Sequence, residues 1–158
     1  MKIAMSKIKV FDSIQKFIIY RDSLAANLKI GFVPTMGALH SGHADLIKHS
    51  SQENDICVLS IFVNPTQFNN PEDLKKYPRT WENDVKVAEA SGAHIILAPN
   101  FEEAYPDNYK FKLSENEFSK KLCGAFRPGH FDGVLTIVIK LMQIVRPTKA
   151  YFGEKDFQ

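Results

Sequence analysis

Two histidines three residues apart follow an apolar run, together with Pro and Gly residues. The run Ile-Gly-Phe-Val-Pro-Thr-Met-Gly-Ala-Leu-His-Ser-Gly-His covers residues 30–43. Gly37 and Gly42 allow the backbone to approach a ligand where a Cβ would block it. A helix that begins near Gly42 would direct its free N–H groups and its positive dipole end toward the same space. With His40 and His43 on one face of this turn, the segment predicts an anion site with two proton donors, as nucleotidyl transfer requires.

Other interpretations of the histidine pair are a metal site or an ordinary exposed pair. A His-x-x-His pair can ligate a metal, but no third ligand in an HExxH pattern or a Cys pair accompanies His40 and His43. We therefore predict no metal site. An ordinary exposed pair is disfavoured because a strand, Pro and Gly occur together, as a phosphate-binding loop needs. His49 lies inside the following predicted helix and is expected at the surface.

Apolar patterning predicts the elements that position this segment. Continuous apolar runs, typical of interior parallel strands, occur at residues 30–33, 56–63, 94–98 and 150–152. Helical spacing occurs at residues 14–24 after a cap at Asp12 or Ser13, at 44–53, at 81–90 before Gly92, and at 130–145 before Pro147. Residues 64–78 are expected to form a loop with one helical turn near residues 72–75.

The alternation of strands and helices predicts an α/β fold with a doubly wound parallel sheet, as a single domain over residues 1–158. In such sheets ligands bind beyond the carboxyl ends of the strands. Polar motifs beginning at Pro34, Asn64 and Gly153 each follow a predicted strand at that end. The sequence therefore predicts one site built from these three segments.

Composition excludes several classes of partner. The chain of 158 residues is 44% apolar and 24% charged, as one globular domain should be. Its 20 basic and 18 acidic residues leave a net charge of +2, so neither a nucleic-acid nor a membrane partner is expected. No signal-peptide pattern or membrane-length apolar run occurs. We expect a cytoplasmic protein in which Cys57 and Cys123 are free thiols.

Five motifs in order carry a family resemblance. They cover residues 34–43, 60–68, 77–80, 127–134 and 152–158. The histidine motif alone resembles the HIGH signature of many Rossmann-like nucleotidyltransferases. Other nucleotidyltransferases do not need the strings Val-Asn-Pro-Thr-Gln-Phe and Gly-Glu-Lys-Asp, which occur within the set. With these strings, the chain from near Ile8 onward resembles one family in particular, the pantoate–β-alanine ligases.

The resemblance implies an ATP-dependent ligase that condenses pantoate with β-alanine to give pantothenate. A carboxylate attacks the α-phosphorus of ATP to give pantoyl adenylate and pyrophosphate, and an amine then displaces AMP. ATP with Mg²⁺ is implied as a substrate, without a tightly bound cofactor, in a homodimer. Another nucleotidyltransferase with the same histidine motif, or a non-catalytic ligand-binding fragment, stays open as an alternative.

The resemblance also assigns roles at the nucleotide end. It implies that His43 is the catalytic proton donor, His40 its partner at the phosphates, and Lys155 a point charge for the α-phosphate or pyrophosphate. Glu154 and Asp156 could serve a ribose hydroxyl, Mg²⁺ or a neighbouring Lys. The implied ATP-binding residues are Met36, Gly37, Ala38, Leu39, His40, Ser41, Gly42, His43, Gly153, Glu154, Lys155 and Asp156.

Gln67 and Asn64 are the expected substrate-binding residues. Neutral amides can hydrogen-bond hydroxyls and a carboxylate without burying an uncompensated charge, and the resemblance assigns Gln67 to both pantoate and β-alanine. Locally, an Asn-Pro turn with an exposed Gln67 is the alternative. Arg127 is either a surface arginine or a group that closes the site. Apolar side chains expected beside pantoate's methyl groups are Phe68, Phe131 and Val134.

Two departures from the family pattern are expected to matter. The family's chains are longer, with the rest of the nucleotide-binding domain, a phosphate-gripping loop and a smaller lid domain. Residues 1–158 are thus expected to be a fragment that binds ligands but is poorly active. Thr66, where Met is commoner in the family, is expected to alter the pocket's apolar wall slightly.

Overall fold

Five parallel strands form one sheet in this computed structural model, which describes residues 7–158. In space the strands lie in the order β1-β4-β3-β2-β5, and every pairing between them is parallel. Their bounds are Lys9–Phe11 (β1), Ile30–Thr35 (β2), Ile56–Ile61 (β3), Ile95–Leu97 (β4) and Lys149–Ala150 (β5). The predicted parallel α/β sheet is confirmed. Residues 1–6, where no signal peptide is predicted, lie outside the described residues.

Helices connect the strands and cover the sheet. Their bounds are Ile14–Ser23 (α1), Ser41–Glu53 (α2), Pro71–Lys76 (α3), Trp81–Ala90 (α4), Phe101–Ala104 (α5), Cys123–Phe126 (α6) and His130–Val145 (α7). Short 3₁₀ turns cover Pro65–Gln67, Phe118–Lys120 and Glu154–Asp156. Among the helices of residues 7–158, none is both long enough and apolar enough to cross a lipid bilayer.

Local capping explains where two of these helices start and end. The Ser13 hydroxyl accepts the Lys16 N–H at the start of α1, as the sequence predicts. Helix α7 begins after Gly129, whose φ is +77°, and ends before Arg146, whose φ is +50°. Pro147 follows immediately and cannot continue the helix. Helix α7 thus has the predicted limits.

Two apolar layers hold the helices against the sheet. Phe17 of α1 and Leu141 of α7 share one cluster of buried side chains with Phe32 of β2. Ile47 of α2 and Ala88 of α4 share the other, with Leu59 of β3 among the buried members. Burying large apolar side chains on both faces is the main stabilising contribution to such a sheet. The two layers confirm the doubly wound arrangement.

The sheet also shows what the sequence pattern missed. Strand β1 and helices α5 and α6 are not predicted. Strand β3 ends at Ile61 rather than Val63. Strand β5 covers Lys149–Ala150 rather than residues 150–152, because its ladder with β2 extends over only two residue pairs. Strands β3 and β4 lie on one side of β2 and β5 lies on the other, so the strand order reverses between β2 and β5. In doubly wound folds ligands bind at such a reversal of strand order.

Candidate active site

A cleft of about 840 Å³ opens where β2 and β5 end. Its volume lies within the range of roughly 300–1,000 Å³ that is usual for small-molecule sites. Polar and charged side chains line it from the turn after β2, the 3₁₀ turn Pro65–Gln67, the start of α7 with the residues before it, and the 3₁₀ turn after β5. Among them are His40, His43, Gln67, Arg127, His130, Lys155 and Asp156. The structure therefore brings together the three segments that the sequence predicts.

The turn between β2 and α2 has an unusual backbone. Gly37 has a φ of +84° and Ala38 a φ of +51°, so two successive residues adopt the left-handed conformation. The Asp84 carboxylate of α4 accepts the backbone N–H groups of Ala38 at 3.1 Å and Leu39 at 2.8 Å. It also accepts the Thr80 hydroxyl at 3.0 Å, and Asp84 is only 2% exposed. This buried carboxylate holds the turn in a conformation that costs about 1–3 kcal/mol for a non-glycine residue.

The two histidines are tied to the backbone of α2 through the same ring atom. Nδ1 of His40 accepts the Gly42 N–H at 3.1 Å, and Nδ1 of His43 accepts the His40 N–H at 3.4 Å. The two ring centroids are 4.2 Å apart. Because each Nδ1 accepts, the proton of each neutral ring resides on Nε2. The pair can therefore present two N–H donors, as expected for a phosphate site.

Burial favours the neutral form of the His43 ring. Burial is the largest cause that lowers the pKa of His43, and the neighbouring His40 and Lys155 lower it further. Asp156 and Asp84 oppose this lowering of the pKa. A neutral ring keeps Nδ1 free to accept the backbone N–H while Nε2 donates.

Lys155 lies in the 3₁₀ turn Glu154–Asp156 after β5. Its Nζ is 2.6 and 2.8 Å from the two carboxylate oxygens of Asp156, and both residues line the cleft. Their side chains are 73% and 56% exposed, so this ion pair contributes little to stability and can exchange for an anionic ligand. Pairing with a neighbouring Lys is one of the roles that the sequence left open for Asp156.

Several of the predicted ATP-binding residues do not line the cleft. Met36, Gly37 and Ala38 line it together with the residues named above. Leu39 is buried beneath the turn, with its N–H bound to Asp84. The cleft-lining set also lacks Ser41, Gly42, Gly153 and Glu154.

Asn64, an expected substrate-binding residue, does not line the cleft. Its side chain is fully buried. Its Oδ1 accepts the Tyr105 hydroxyl at 3.1 Å and the Thr66 hydroxyl at 3.0 Å, while its Nδ2 donates to the Gly133 carbonyl at 3.1 Å. Asn64 thus fixes the 3₁₀ turn against α7, and its contact with a substrate stays a prediction.

Thr66 and Gly133 form the contact between this turn and α7. A Cβ at Gly133 would lie 2.5 Å from the Thr66 carbonyl oxygen, so only glycine permits this approach. Thr66 is absent from the cleft wall, and its hydroxyl bonds to Asn64 instead. The Thr66 side chain thus belongs to this hydrogen-bond network, and its expected effect on the apolar wall of the pocket stays a prediction.

The backbone carbonyl of Gln67 is held by two donors. His130 Nδ1 lies 2.7 Å from it and Arg127 Nη2 lies 3.3 Å from it. Burial is the main cause that lowers the pKa of His130; the hydrogen bond to Gln67 opposes it and the charge of Arg127 adds to it. Neither His130 nor Asp84 is among the site residues predicted from sequence, since a helix-initial His or Asp looks ordinary without its tertiary partners.

Apolar side chains form part of the cleft wall. Phe68, Phe131 and Val134 line the cleft, as expected, and Val138 and Leu141 of α7 continue the surface. This wall can pack against small branched apolar groups of a ligand.

Of the two cysteines in the chain, one lies at the cleft. Cys57 is buried, which raises its pKa to about 11, and Cys123 is exposed at the cleft; both are free thiols, as predicted. Within residues 7–158, no group of three or more His, Cys, Asp or Glu side chains could hold a metal ion. Asp156 is the one acidic side chain that lines the cleft in this part of the chain.

Comparisons with known proteins agree with this geometry. A family model described as pantoate–β-alanine ligase matches residues 8–158. The pantothenate synthetase of Bdellovibrio bacteriovorus is 64% identical over 129 residues, which are 82% of this chain and 51% of that protein. The pantothenate synthetase of Legionella pneumophila is 51% identical over 150 residues, which are 95% of this chain and 60% of that protein.

Solved structures show the same likeness. A crystal structure of pantoate–β-alanine ligase from Francisella tularensis, complexed with β-γ ATP and β-alanine, has a TM-score of 0.92 and 45% identity, covering 95% of this chain and 58% of that one. Pantothenate synthetase from Thermus thermophilus has a TM-score of 0.86 and 40% identity, covering 95% and 53%. The chain thus spans between half and three fifths of the length of these relatives. The match over residues 8–158, with this level of identity, shows that the chain belongs to the pantoate–β-alanine ligase family.

Proposed function

We propose that this protein contributes the nucleotide- and pantoate-binding site of an ATP-dependent ligase. The reaction condenses pantoate with β-alanine through pantoyl adenylate and releases AMP and pyrophosphate. The observation that carries this proposal is one cleft in which two Nε2–H donors and Lys155 lie with Gln67 and an apolar wall. Such a cleft can hold a nucleotide phosphate and a branched hydroxy acid side by side.

In the first step the pantoate carboxylate attacks the α-phosphorus of ATP. Negative charge grows on the phosphate oxygens, and we propose that Nε2–H of His40 and His43 stabilises it together with the Lys155 ammonium. Removing one such donor costs about 10²–10³ in rate in well-studied enzymes. Alignment of the two reactants in the cleft supplies the rest, because it makes the attack effectively intramolecular.

Some of the remaining predicted site residues line the cleft and others do not. Met36, Gly37 and Ala38 line the cleft and are proposed to contact ATP. Gln67 is proposed to bind pantoate and β-alanine through its side-chain amide. Asn64, whose hydrogen bonds support the same turn, also stays a proposed substrate-binding residue. The other predicted ATP-binding residues do not line the cleft. We propose that they contact ATP through backbone atoms or after a conformational change on binding; they are Leu39, Ser41, Gly42, Gly153 and Glu154.

Mg²⁺ is proposed to accompany ATP. Asp156 is the carboxylate that fits this ion, because Mg²⁺ is usually held by one or two carboxylates together with substrate phosphates and waters. Bound there, the ion would neutralise phosphate charge. Within the chain, Asp156 would then release Lys155 to contact the nucleotide.

Residues 1–158 alone are proposed to bind ligands but to turn them over slowly. The support is that the curated relatives are longer, so contacts that exclude water from a hydrolysable adenylate can come from their further residues. A cytoplasmic homodimer is proposed from the family resemblance, and Phe111, Phe126 and Ile139 are exposed apolar side chains available to it. Two measurements on residues 1–158 and on the full-length protein test these proposals. The rate of pantothenate formation tests the slow turnover, and sedimentation tests the homodimer.

The test of the function is a product balance. With ATP, pantoate and β-alanine, the full-length protein should form AMP and pantothenate in equal amounts, and omission of pantoate should abolish AMP formation. Transfer of an adenylyl group to a nucleotide or to phosphopantetheine, with no pantothenate formed, would favour another nucleotidyltransferase instead.

A further inference from the structure

The three histidines that line the cleft carry their protons on different ring atoms. Nδ1 of His40 and Nδ1 of His43 each accept a backbone N–H, so their Nε2 atoms are donors. Nδ1 of His130 lies 2.7 Å from the Gln67 carbonyl oxygen. A carbonyl oxygen can only accept, so Nδ1 of His130 carries the proton and Nε2 of its neutral ring bears a lone pair. His130 is therefore an acceptor in a cleft whose other two histidines are donors.

The surroundings of His130 leave that lone pair available. The residue is half-buried and lines the cleft. Among residues 7–158, the structure shows a hydrogen bond to its Nδ1 and a ring contact with Phe131 at 5.0 Å, and no partner for Nε2. Burial and the nearby Arg127 lower the pKa of His130, so the ring is neutral at pH 7.

The proposed reaction needs such an acceptor in its second step. A primary aliphatic amine is an ammonium ion at neutral pH and has no lone pair with which to attack. We propose that His130 is a catalytic residue whose Nε2 binds the ammonium group of the amine substrate and removes one of its protons before it attacks the acyl adenylate. This inference rests on the proposed function and adds the group that prepares the amine.

One ammonium proton passes to His130 Nε2, and the freed nitrogen lone pair forms a C–N bond to the acyl carbon. The bond between that carbon and the phosphate oxygen breaks, and its electron pair leaves with AMP. The nitrogen loses its second proton to water, and the imidazolium of His130 returns its proton to solvent.

Two variants of His130 distinguish removal of the ammonium proton from the hydrogen bond to the Gln67 carbonyl. In His130→Asn the side-chain amide nitrogen can replace Nδ1–H and keep the bond to the Gln67 carbonyl, while the acceptor at Nε2 is lost. In His130→Gln an amide oxygen can occupy the place of Nε2, but it is not basic. His49→Asn serves as a control, because His49 is exposed on α2 away from the cleft.

The measurement compares two nucleophiles on the same adenylate in the full-length protein. Hydroxylamine is largely unprotonated at neutral pH and needs no base, whereas β-alanine does. General-base catalysis contributes roughly 10²–10⁴-fold, so the ratio of β-alanine capture to hydroxylamine capture should fall by at least about 10²-fold in both His130 variants. Pyrophosphate formation from ATP and pantoate, and the capture ratio, should both stay within a few-fold of the parent in the His49→Asn control.

The capture ratio decides whether His130 acts on the amine. An unchanged capture ratio in either folded variant overturns the proposal, including the case in which both nucleophiles are captured more slowly by the same factor, since His130 would then only position Gln67. If the parent protein itself forms no pyrophosphate with pantoate, the proposed function fails. In that case capture of chemically prepared pantoyl adenylate still tests His130.

Discussion

Replacement of Asp84 by Asn should disturb the turn that carries the histidines. The Asp84 carboxylate accepts two backbone N–H groups, from Ala38 and Leu39, and the Thr80 hydroxyl. An Asn side chain has the same shape but only one acceptor oxygen. Its NH₂ group would therefore face one of the backbone N–H donors at a site that is 2% exposed.

The expected cost follows from that lost bond. A hydrogen bond to a charged group contributes about 1.5–3 kcal/mol to the free energy of unfolding. For a chain of this length each kcal/mol shifts Tm by about 2–4 °C, so Tm should fall by roughly 3–12 °C. Ala38, at a φ of +51°, would also lose the contact that offsets its strain. Since a displacement of about 1 Å can cost about 10²-fold in rate, pyrophosphate formation should fall by about that factor.

Thermal unfolding and pantoate-dependent pyrophosphate release measure the two effects. The matched control is Glu82→Gln, which removes the same charge from the same first turn of α4 but at an exposed position. That change alters only the interaction with the helix dipole, worth about 0.3–1 kcal/mol. Equal Tm values and equal rates for the two variants would refute the conclusion that Asp84 holds the turn.

Four further changes test other parts of the account. Gly133→Ala should destabilise the protein by about 1–3 kcal/mol in urea unfolding, because the new methyl group meets the Thr66 carbonyl; a neutral result would show that α7 can shift freely. Gln67→Ala should weaken pantoate binding about ten- to a hundred-fold, by loss of a hydrogen bond to a charged group, while ATP binding changes little; equal losses in calorimetry would indicate an effect through the fold. His43→Ala should lower pyrophosphate release about 10²–10³-fold with little loss of Tm, and a parental rate would contradict its role. The pKa values of His43 and His130 are lowered from 6.5, so the unfolded chain binds more protons and the free energy of unfolding should fall as pH decreases below about 6.5; a flat profile between pH 7 and pH 5 would contradict this.

The parts of the fold that the sequence predicts well have strong local signals. Strand β3 is a continuous apolar run, and α7 has helical apolar spacing that Pro147 terminates. Strand β1 is missed because Lys9–Phe11 is three residues long and mostly exposed at the sheet edge. Helix α5 is a single turn, Phe101–Ala104, held by its Asn100 cap, and such a turn has no apolar period to detect.

Site residues that belong to a local sequence motif can be predicted, whereas the roles that depend on partners distant in sequence cannot. Gln67 and the two histidines line the cleft because each follows a strand at its carboxyl end. Asn64 lies in an equally suggestive position, but its amide is consumed by Tyr105 and Gly133, which are distant in sequence. No local pattern could distinguish these two amides.

The most direct test of the central claim follows an oxygen atom. Pantoate labelled with ¹⁸O in its carboxylate is incubated with ATP, β-alanine and the full-length protein, and AMP is analysed by mass spectrometry. If the carboxylate attacks the α-phosphorus, the carbonyl carbon gives up one of its oxygens to phosphorus, and each AMP should carry one ¹⁸O. AMP without ¹⁸O, or label found in inorganic phosphate, would contradict the adenylate mechanism and the role assigned to this cleft.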